Sequence, residues 1–183
     1  MKNKVYVFFA EGFEEIEALT AVDIMRRVDM DAHLVSMTDD IYVTGAHDIT
    51  VKADYMFDDV DYSKCEMIVL PGGLPGAHNL RDHQGLRKEI LKFAEEGKGL
   101  AAICAAPLVF GDLGILEGRK ATIYPGMEEE LKGAEPIGFP VVRDMNIITS
   151  QGPATAMKFA LALVSYFKGK EVADELEEDL LMI

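Results

Sequence analysis

The chain has 183 residues, of which 49% are hydrophobic and 27% charged, and its formal net charge is −14 at pH 7. This length and composition suit a globular protein with a sizeable core, so we expect residues 1–183 to form a single domain. The negative charge argues against nucleic acid and anionic membrane partners, because both bind positive surfaces. No run reaches the length of a membrane-spanning helix, and the N-terminal stretch lacks the features of a signal peptide, so we expect a cytoplasmic location.

Strand-like and helix-like segments alternate along the chain. Short apolar runs predict strands at 4–10, 32–37, 66–71, 100–104 and 120–125. A hairpin is predicted at 41–51, with its turn at Gly45, and residues 142–150 form either a strand or a second hairpin.

Helical periodicity predicts helices at 14–28, 86–97, 153–167 and 170–181. Because strands and helices alternate, we predict an α/β fold whose sheet is mostly parallel, with helices on both faces. Sites in such sheets form beyond the carboxyl ends of the strands.

Cys104 lies at such an end, in the run GLAAICAAP. One hypothesis makes it a nucleophile at a tight turn, where the N-terminus of the following helix favours the thiolate. The alternative is a small residue of the core, which is common for a free cysteine. Cys65 precedes a strand at the opposite end, so we expect no chemical role for it. Two cysteines do not suggest a disulfide scaffold.

A glycine pair in LPGGLPGA also follows a predicted strand. Glycine lets the backbone turn sharply and direct its amides at a ligand. The N–H of Gly73 would join the N–H of Ala105 as an oxyanion hole facing Cys104. The alternative is an ordinary loop rich in Gly and Pro.

Glu17 is the least expected carboxylate of the first predicted helix. It shares a helix face with Ala21, Ile24 and Val28, so it lies at the top of an apolar stripe. Desolvation there would raise its pKa, and a protonated carboxyl can donate a hydrogen bond to a thiolate. The alternative is a carboxylate that matches the helix dipole, which is explanation enough for Glu14 and Glu15.

The four histidines give no metal signal. None of them forms a common metal-ligand spacing with a cysteine or another histidine, so we expect no metal site.

Four stretches together resemble the ThiJ/PfpI superfamily, and specifically its DJ-one branch, that of the Parkinsonism-associated protein. These stretches span residues 5–165, in the order of the family: FFAEGFEEIEA with VDIMRR, IVLPGGLPGA, KGLAAICAAP and IITSQGPATAMKFAL. The resemblance implies a flavodoxin-like three-layer α/β sandwich, of the class I glutamine amidotransferase-like type, that forms a cytoplasmic homodimer and needs no cofactor.

The resemblance also implies site residues. Cys104 would be the elbow cysteine in a strained conformation, Glu17 its carboxyl partner, and Gly73 and Ala105 the donors of the oxyanion hole. Some members have a histidine where this chain has Tyr124, and a neutral phenol is a poor base at neutral pH. A Cys–His pair through that position is therefore not expected.

Two further positions qualify the resemblance. Ala105 stands where the protease-like branch has a histidine after its cysteine, which argues against peptidase activity. His47 and His78 lie in loops that match loops beside the family's site, and we assign neither as a base.

Activities of the branch include glyoxalase and deglycase action on methylglyoxal and its adducts, peroxide sensing by cysteine oxidation, and chaperone activity. The first hypothesis for this chain is a cysteine-dependent glyoxalase or deglycase acting on small aldehydes. The second is a redox-sensing or chaperone-like protein whose cysteine is oxidised without turnover. A third is a relative of the amidotransferases without chemistry.

Overall fold

The computed structural model describes residues 4–182 and has eleven strands in that range. They are β1 (Lys4–Phe9), β2 (Asp31–Ser36), β3 (Tyr42–Thr44), β4 (Thr50–Lys52), β5 (Tyr55–Met56), β6 (Cys65–Leu70), β7 (Gly99–Ile103), β8 (Lys120–Ala121), β9 (Glu135–Pro136), β10 (Val141–Asp144) and β11 (Ile147–Ser150). Seven of them form the central sheet, in the order β10-β11-β7-β6-β1-β2-β5. Only the β10–β11 pair of this sheet is antiparallel, so the prediction of a mostly parallel sheet is confirmed.

Six α-helices cover the two faces of this sheet within the described residues. They are α1 (Glu15–Arg27), α2 (Gly76–Asp82), α3 (Gln84–Glu96), α4 (Pro107–Asp112), α5 (Ala156–Lys168) and α6 (Lys170–Asp179). Helices α1, α5 and α6 contribute to one hydrophobic core, and α2, α3 and α4 to the other.

The alternation of side chains along β1 separates these two cores. Val5, Val7 and Phe9 pack into the core of α1, whereas Tyr6 and Phe8 pack into the core of α3. A strand that is buried on both faces reads as a continuous apolar run, which explains the sequence of β1. The result is a three-layer α/β sandwich, as predicted.

The helix ends follow the local sequence. Helix α1 has Glu15 and Glu17 in its first turn and Arg26 and Arg27 in its last, an order that complements the helix dipole. Helix α3 ends at Gly97, whose φ of +67° is the left-handed conformation that glycine adopts without strain. Each helix between residues 4 and 182 is too short or too polar to cross a bilayer.

Two predictions of local structure were wrong in part. The strand predicted at 120–125 ends at Ala121, because the next amides are used elsewhere. The N–H of Thr122 donates to Oγ1 of Thr149, and the N–H of Tyr124 donates to the carbonyl of Cys104. Helix α2 was not predicted, since glycine and proline precede it directly.

The hairpin predicted at 41–51 is present, and of the two alternatives for residues 142–150 the structure has the hairpin. Strands β3 and β4 pair antiparallel outside the main sheet, and β10 and β11 pair antiparallel at its edge. Strand β11 also pairs with β7, the strand that directly precedes Cys104.

Candidate active site

Cys104 occupies the turn between β7 and α4 in a strained conformation. Its φ is +62°, a left-handed value that non-glycine residues seldom adopt and that costs on the order of 1–3 kcal/mol. Backbone hydrogen bonds hold this turn: the N–H of Cys104 donates to the carbonyl of Ser150 at 3.0 Å, and its carbonyl accepts from the N–H of Tyr124 at 2.9 Å. The side chain is partly exposed.

Glu17 lies beside this cysteine at the start of α1. It is 1% exposed, and its Oε2 accepts a hydrogen bond of 2.7 Å from the N–H of Gly72. Its Oε1 has no hydrogen-bond partner within residues 4–182. Burial, helped by the charge of Glu14, raises the pKa of Glu17 to about 7, against the opposing effects of the Gly72 N–H and the Cys104 thiol. The carboxyl therefore changes its protonation state near neutral pH.

Gly72 permits the close approach of these groups. A Cβ at this position would lie 2.5 Å from Cβ of Cys104, 2.8 Å from Oε2 of Glu17 and 3.0 Å from the N atom of Ala105. Those separations are too short for any side chain, so the site needs glycine here. From the sequence, the glycine pair was expected to form a sharp turn and supply amides, and this steric role of Gly72 was not predicted.

Gly73 is required for a different reason. Its φ is +82°, and a Cβ would lie 2.4 Å from the N atom of Glu14. The carbonyl of Gly72 accepts a hydrogen bond of 3.0 Å from that same N–H. The loop after β6 is thus fixed directly against the N-terminus of α1, which brings Glu17 to Cys104.

The surroundings of Cys104 act on the pKa of its thiol in both directions. Burial, followed by the negative charge of Glu17, raises the pKa of its thiol to about 12, although the N–H groups of Gly73 and Ala105 act to lower it. Helix α4 begins at Pro107, so the N–H groups that act on the thiol belong to the preceding turn and loop, and the expectation that the helix favours the thiolate stays a prediction.

The thiol and the carboxyl titrate as a pair. With Glu17 ionised, the thiol keeps its proton; when Glu17 takes up a proton, the charge opposing the thiolate disappears and the two amides remain. The structure thus brings together Cys104, Glu17 and the N–H groups of Gly73 and Ala105. Chemically, a thiol, a carboxyl that titrates near neutral pH and two N–H donors are groups that can serve as a nucleophile, a proton carrier and donors to a developing negative charge.

Tyr124 and His47, which the resemblance places beside the site, have different surroundings in the structure. Tyr124 is 48% exposed and contacts the turn of Cys104 through its backbone N–H. A Cβ at Gly152 would lie 3.4 Å from the Tyr124 ring, so the ring packs near the loop after β11. His47 is bound to Glu15: its ring Nδ1 lies 2.9 Å from Oε2, and its backbone N–H donates to Oε1 at 2.8 Å.

Glu15 was assigned only a dipole role in the sequence analysis, yet it is a structural anchor. It is 4% exposed, and its carboxylate binds the turn between β3 and β4. These hydrogen bonds lower its pKa, although burial by itself acts to raise it. No sequence signal links Glu15 to His47, because 32 residues separate them.

A three-layer α/β sandwich with a strained cysteine after a central strand, paired with a buried carboxyl, defines the class of this protein. The sequence model of the DJ-1/PfpI family matches residues 3–166. The chain therefore belongs to the DJ-1/PfpI family, and the resemblance drawn from its sequence is confirmed.

Similar proteins come from distant organisms. The chain is 40% identical to Protein DJ-1 homolog B of Arabidopsis thaliana over 182 residues, which are 98% of the chain and 42% of that relative. It thus spans less than half the length of that plant protein. It is 30% identical to a Pyrococcus horikoshii protein named as a deglycase, covering 90% of the chain and 99% of the relative.

Solved structures give the same result for the fold. The structure named "Toxoplasma gondii DJ-1, oxidized" superposes with a TM-score of 0.94 and 34% identity, covering 98% of each chain. This similarity fits the flavodoxin-like sandwich that the sequence predicted.

Proposed function

We propose that the protein is a cysteine-dependent enzyme of the glyoxalase or deglycase type, acting on methylglyoxal and related aldehydes or their adducts. The observation that carries this proposal is the pairing of Cys104 with Glu17, whose pKa of about 7 suits proton transfer at neutral pH. The relative named as a deglycase supports the same assignment.

The first step forms a bond between sulfur and carbon. The Cys104 thiol gives its proton to the Glu17 carboxylate as its sulfur attacks the aldehyde carbon, and the electron pair of the C=O bond moves to the oxygen. The N–H groups of Gly73 and Ala105 stabilise that oxygen, and Glu17 donates a proton to it. The product is a hemithioacetal on Cys104.

The second step moves a proton within the bound substrate. The Glu17 carboxylate removes the hydrogen of the former aldehyde carbon and returns a proton to the neighbouring ketone carbon, through an enediol, while the hydroxyl proton of the hemithioacetal passes to the ketone oxygen. A lactoyl thioester results. Water then cleaves the thioester, which releases lactate and restores the thiol, so the sum is methylglyoxal plus water giving lactate.

Lactate formation from methylglyoxal tests this proposal directly. Wild-type protein is expected to form lactate, and Cys104→Ser to form none, whereas Cys65→Ser retains the wild-type rate. Absence of lactate with both wild type and Cys104→Ser would reject the glyoxalase step. Deglycase action is tested separately, by release of free amine from a methylglyoxal-treated peptide.

A redox role for the same cysteine is the second candidate. The support is the Toxoplasma gondii structure, which is named as an oxidized form. In this candidate peroxide oxidises Cys104 to a sulfinate, whose oxygens accept from the Gly73 and Ala105 amides and from protonated Glu17. Peroxide-induced oxidation of Cys104 without any aldehyde turnover would favour it, and so would suppression of protein aggregation by the oxidised chain.

A homodimer is part of the proposal. Helix α1 exposes 54% of Ile16 and 39% of Leu19, although both are apolar. Burying them against a second copy would remove apolar surface from water. Light scattering should give about twice the chain mass of 20.2 kDa, and Ile16→Asp should shift the mass towards the monomer. A monomer at all concentrations would contradict this.

A further inference from the structure

Two adjacent carboxylates at the start of α1 lie against a histidine from the β3–β4 turn. Glu14 is 8% exposed and Glu15 is 4% exposed, whereas the His47 side chain is 66% exposed. The Nδ1 atom of His47 lies 2.9 Å from Oε2 of Glu15 and 3.5 Å from Oε2 of Glu14. One donor atom from each of the three residues lies within 4.8 Å of the others.

The two carboxylates differ in how far their charge is compensated. Glu15 accepts from the N–H of His47 and the N–H of Ile49, and pairs with the His47 ring. The Glu14 side chain is 10% exposed and accepts no hydrogen bond from residues 4–182. Its ion-pair contact in that range is the same His47 ring that Glu15 already engages.

This arrangement places two carboxylates against a single imidazole. A buried carboxylate needs a cation or several hydrogen-bond donors, because desolvation disfavours the charged form. One exposed imidazole is shared by two buried carboxylates, and Glu14 is directed at it. A cation bound by all three side chains would compensate both charges.

We propose that Glu14, Glu15 and His47 bind a divalent metal ion of the zinc type. Carboxylate oxygen and imidazole nitrogen are both ligands of Zn²⁺, and three protein ligands are a common set. Tetrahedral ligands at about 2.0–2.1 Å from zinc are roughly 3.3 Å apart. The separations of 2.9 Å and 3.5 Å from Nδ1 are close to that value.

Binding replaces the hydrogen bond between Nδ1 and Glu15 by a metal bond. Any proton on Nδ1 is released to solvent, so the affinity is expected to rise with pH as the imidazole becomes neutral. The His47 side chain is 66% exposed, so an ion can reach the three residues from solvent. None of these three side chains belongs to the Cys104–Glu17 pair, and the sequence did not indicate the cluster because His47 is 32 residues from Glu15.

The experiment measures metal binding in a chain that lacks the reactive thiol. Untagged Cys104→Ser protein is titrated with Zn²⁺ by calorimetry, and with Co²⁺ while its visible absorption is followed. We expect one ion per chain, with a Co²⁺ spectrum typical of nitrogen and oxygen ligands and without sulfur charge-transfer bands.

Variants then identify the ligands. His47→Gln and Glu14→Gln, made in the same background, should each weaken Zn²⁺ binding by more than the roughly 10–100-fold typical for loss of a group that only supports a ligand. His78→Gln, a change at a histidine of α2, should leave the affinity unchanged. Circular dichroism verifies that each variant is folded.

Some results would overturn the proposal. They are the absence of stoichiometric Zn²⁺ binding to Cys104→Ser, and an unchanged affinity in His47→Gln or in Glu14→Gln. Lactate formation plays no part in these measurements, so they are independent of the proposed aldehyde chemistry.

Discussion

The two cysteines lie at opposite ends of the parallel sheet and differ in their surroundings. Cys65 begins β6 at the amino end, is 1% exposed, and its Sγ donates to the carbonyl of Met67 at 3.2 Å. Cys104 follows β7 at the carboxyl end, where its backbone is strained and its side chain is partly exposed. Burial is the first cause that raises the pKa of each thiol to about 12.

The two thiols differ in whether the cause of the raised pKa depends on pH. Burial at Cys65 is fixed by the core, so its thiol stays protonated in the folded protein. At Cys104 the second cause is the charge of Glu17, which disappears when that carboxyl takes up a proton near pH 7. Both thiols thus have a raised pKa, but at Cys104 a neighbouring carboxyl that titrates near pH 7 contributes to it.

Removing the acid from Glu17 should have the largest effect on this contrast. Glu17→Gln keeps the shape but cannot pass on a proton, so we expect aldehyde turnover to fall by about 10²–10⁴-fold. The same change removes a negative charge, so the pKa of the Cys104 thiol should fall. The measurements are methylglyoxal consumption and the pH dependence of Cys104 alkylation.

Glu66→Gln is the control for Glu17→Gln, because it removes the same kind of charge beside Cys65, at the amino end of the sheet. The charge of Glu66 raises the pKa of Cys65 only after larger effects, so its removal should leave turnover unchanged. Wild-type turnover in Glu17→Gln would show that Glu17 does not carry the proton in the aldehyde reaction.

The pH dependence of stability should show the burial of Glu17. Its pKa rises from 4.5 to about 7 on folding, so between these values the folded state binds more protons and stability falls as pH rises. At about 1.4 kcal/mol per pH unit, the loss is about 3 kcal/mol, complete above pH 7. The free energy of unfolding is compared at pH 4.5 and 7.5 in Cys104→Ser, with and without Glu17→Gln.

In that comparison, the chain that carries Glu17→Gln should lose about 3 kcal/mol less over the window, because the amide does not titrate. Cys65→Ser in place of Glu17→Gln is the control and should keep the full loss. If the free energy of unfolding changed equally with pH in all of these proteins, Glu17 would have the same pKa in the folded and unfolded states.

Alanine substitutions at Gly72 and Gly99 test whether turnover depends on the geometry of the Cys104–Glu17 pair or only on the stability of the fold. In Gly72→Ala the new methyl group pushes Cys104 and Glu17 apart, and a displacement near 1 Å costs roughly 10²-fold in rate. Gly99→Ala adds the same group at the amino end, 2.6 Å from the flexible end of Met67. It should cost about 1–3 kcal/mol of stability at most, with little loss of turnover.

Turnover rates and urea unfolding curves of both alanine variants decide this point. Equal losses of rate in Gly72→Ala and Gly99→Ala would mean that activity follows overall stability and not the contact at Cys104.

The smallest of the expected effects is a difference in how fast mild peroxide oxidises the two cysteines. Cys104 is the more accessible thiol and has a proton acceptor in Glu17, so its peptide should gain two oxygen atoms first. Mass spectrometry of digested protein measures both peptides in one sample. Earlier oxidation of Cys65 would contradict the contrast between the two ends.

Much of the fold was predictable from the sequence. The apolar run of β1, the periodicity of α1 and the glycine after α3 each reflect local preferences, which act whatever the rest of the chain does. The short β8 was not predictable in extent, because Thr149 and Cys104 take up the amides that would have extended it. The expectation of a single domain over residues 1–183 stays a prediction.

The sequence by itself also determined which residues to consider at the site. Cys104 and Gly73 each follow a predicted strand, and Glu17 lies at the N-terminal end of an apolar helix face. The local sequence around each residue was therefore enough to indicate it. The tertiary structure alone decided the steric need for Gly72, the pKa values of the Cys104–Glu17 pair and the contact of Glu14 and Glu15 with His47. The physical reason is that local preferences act between neighbours in the chain, whereas desolvation and close approach depend on groups that only folding brings together.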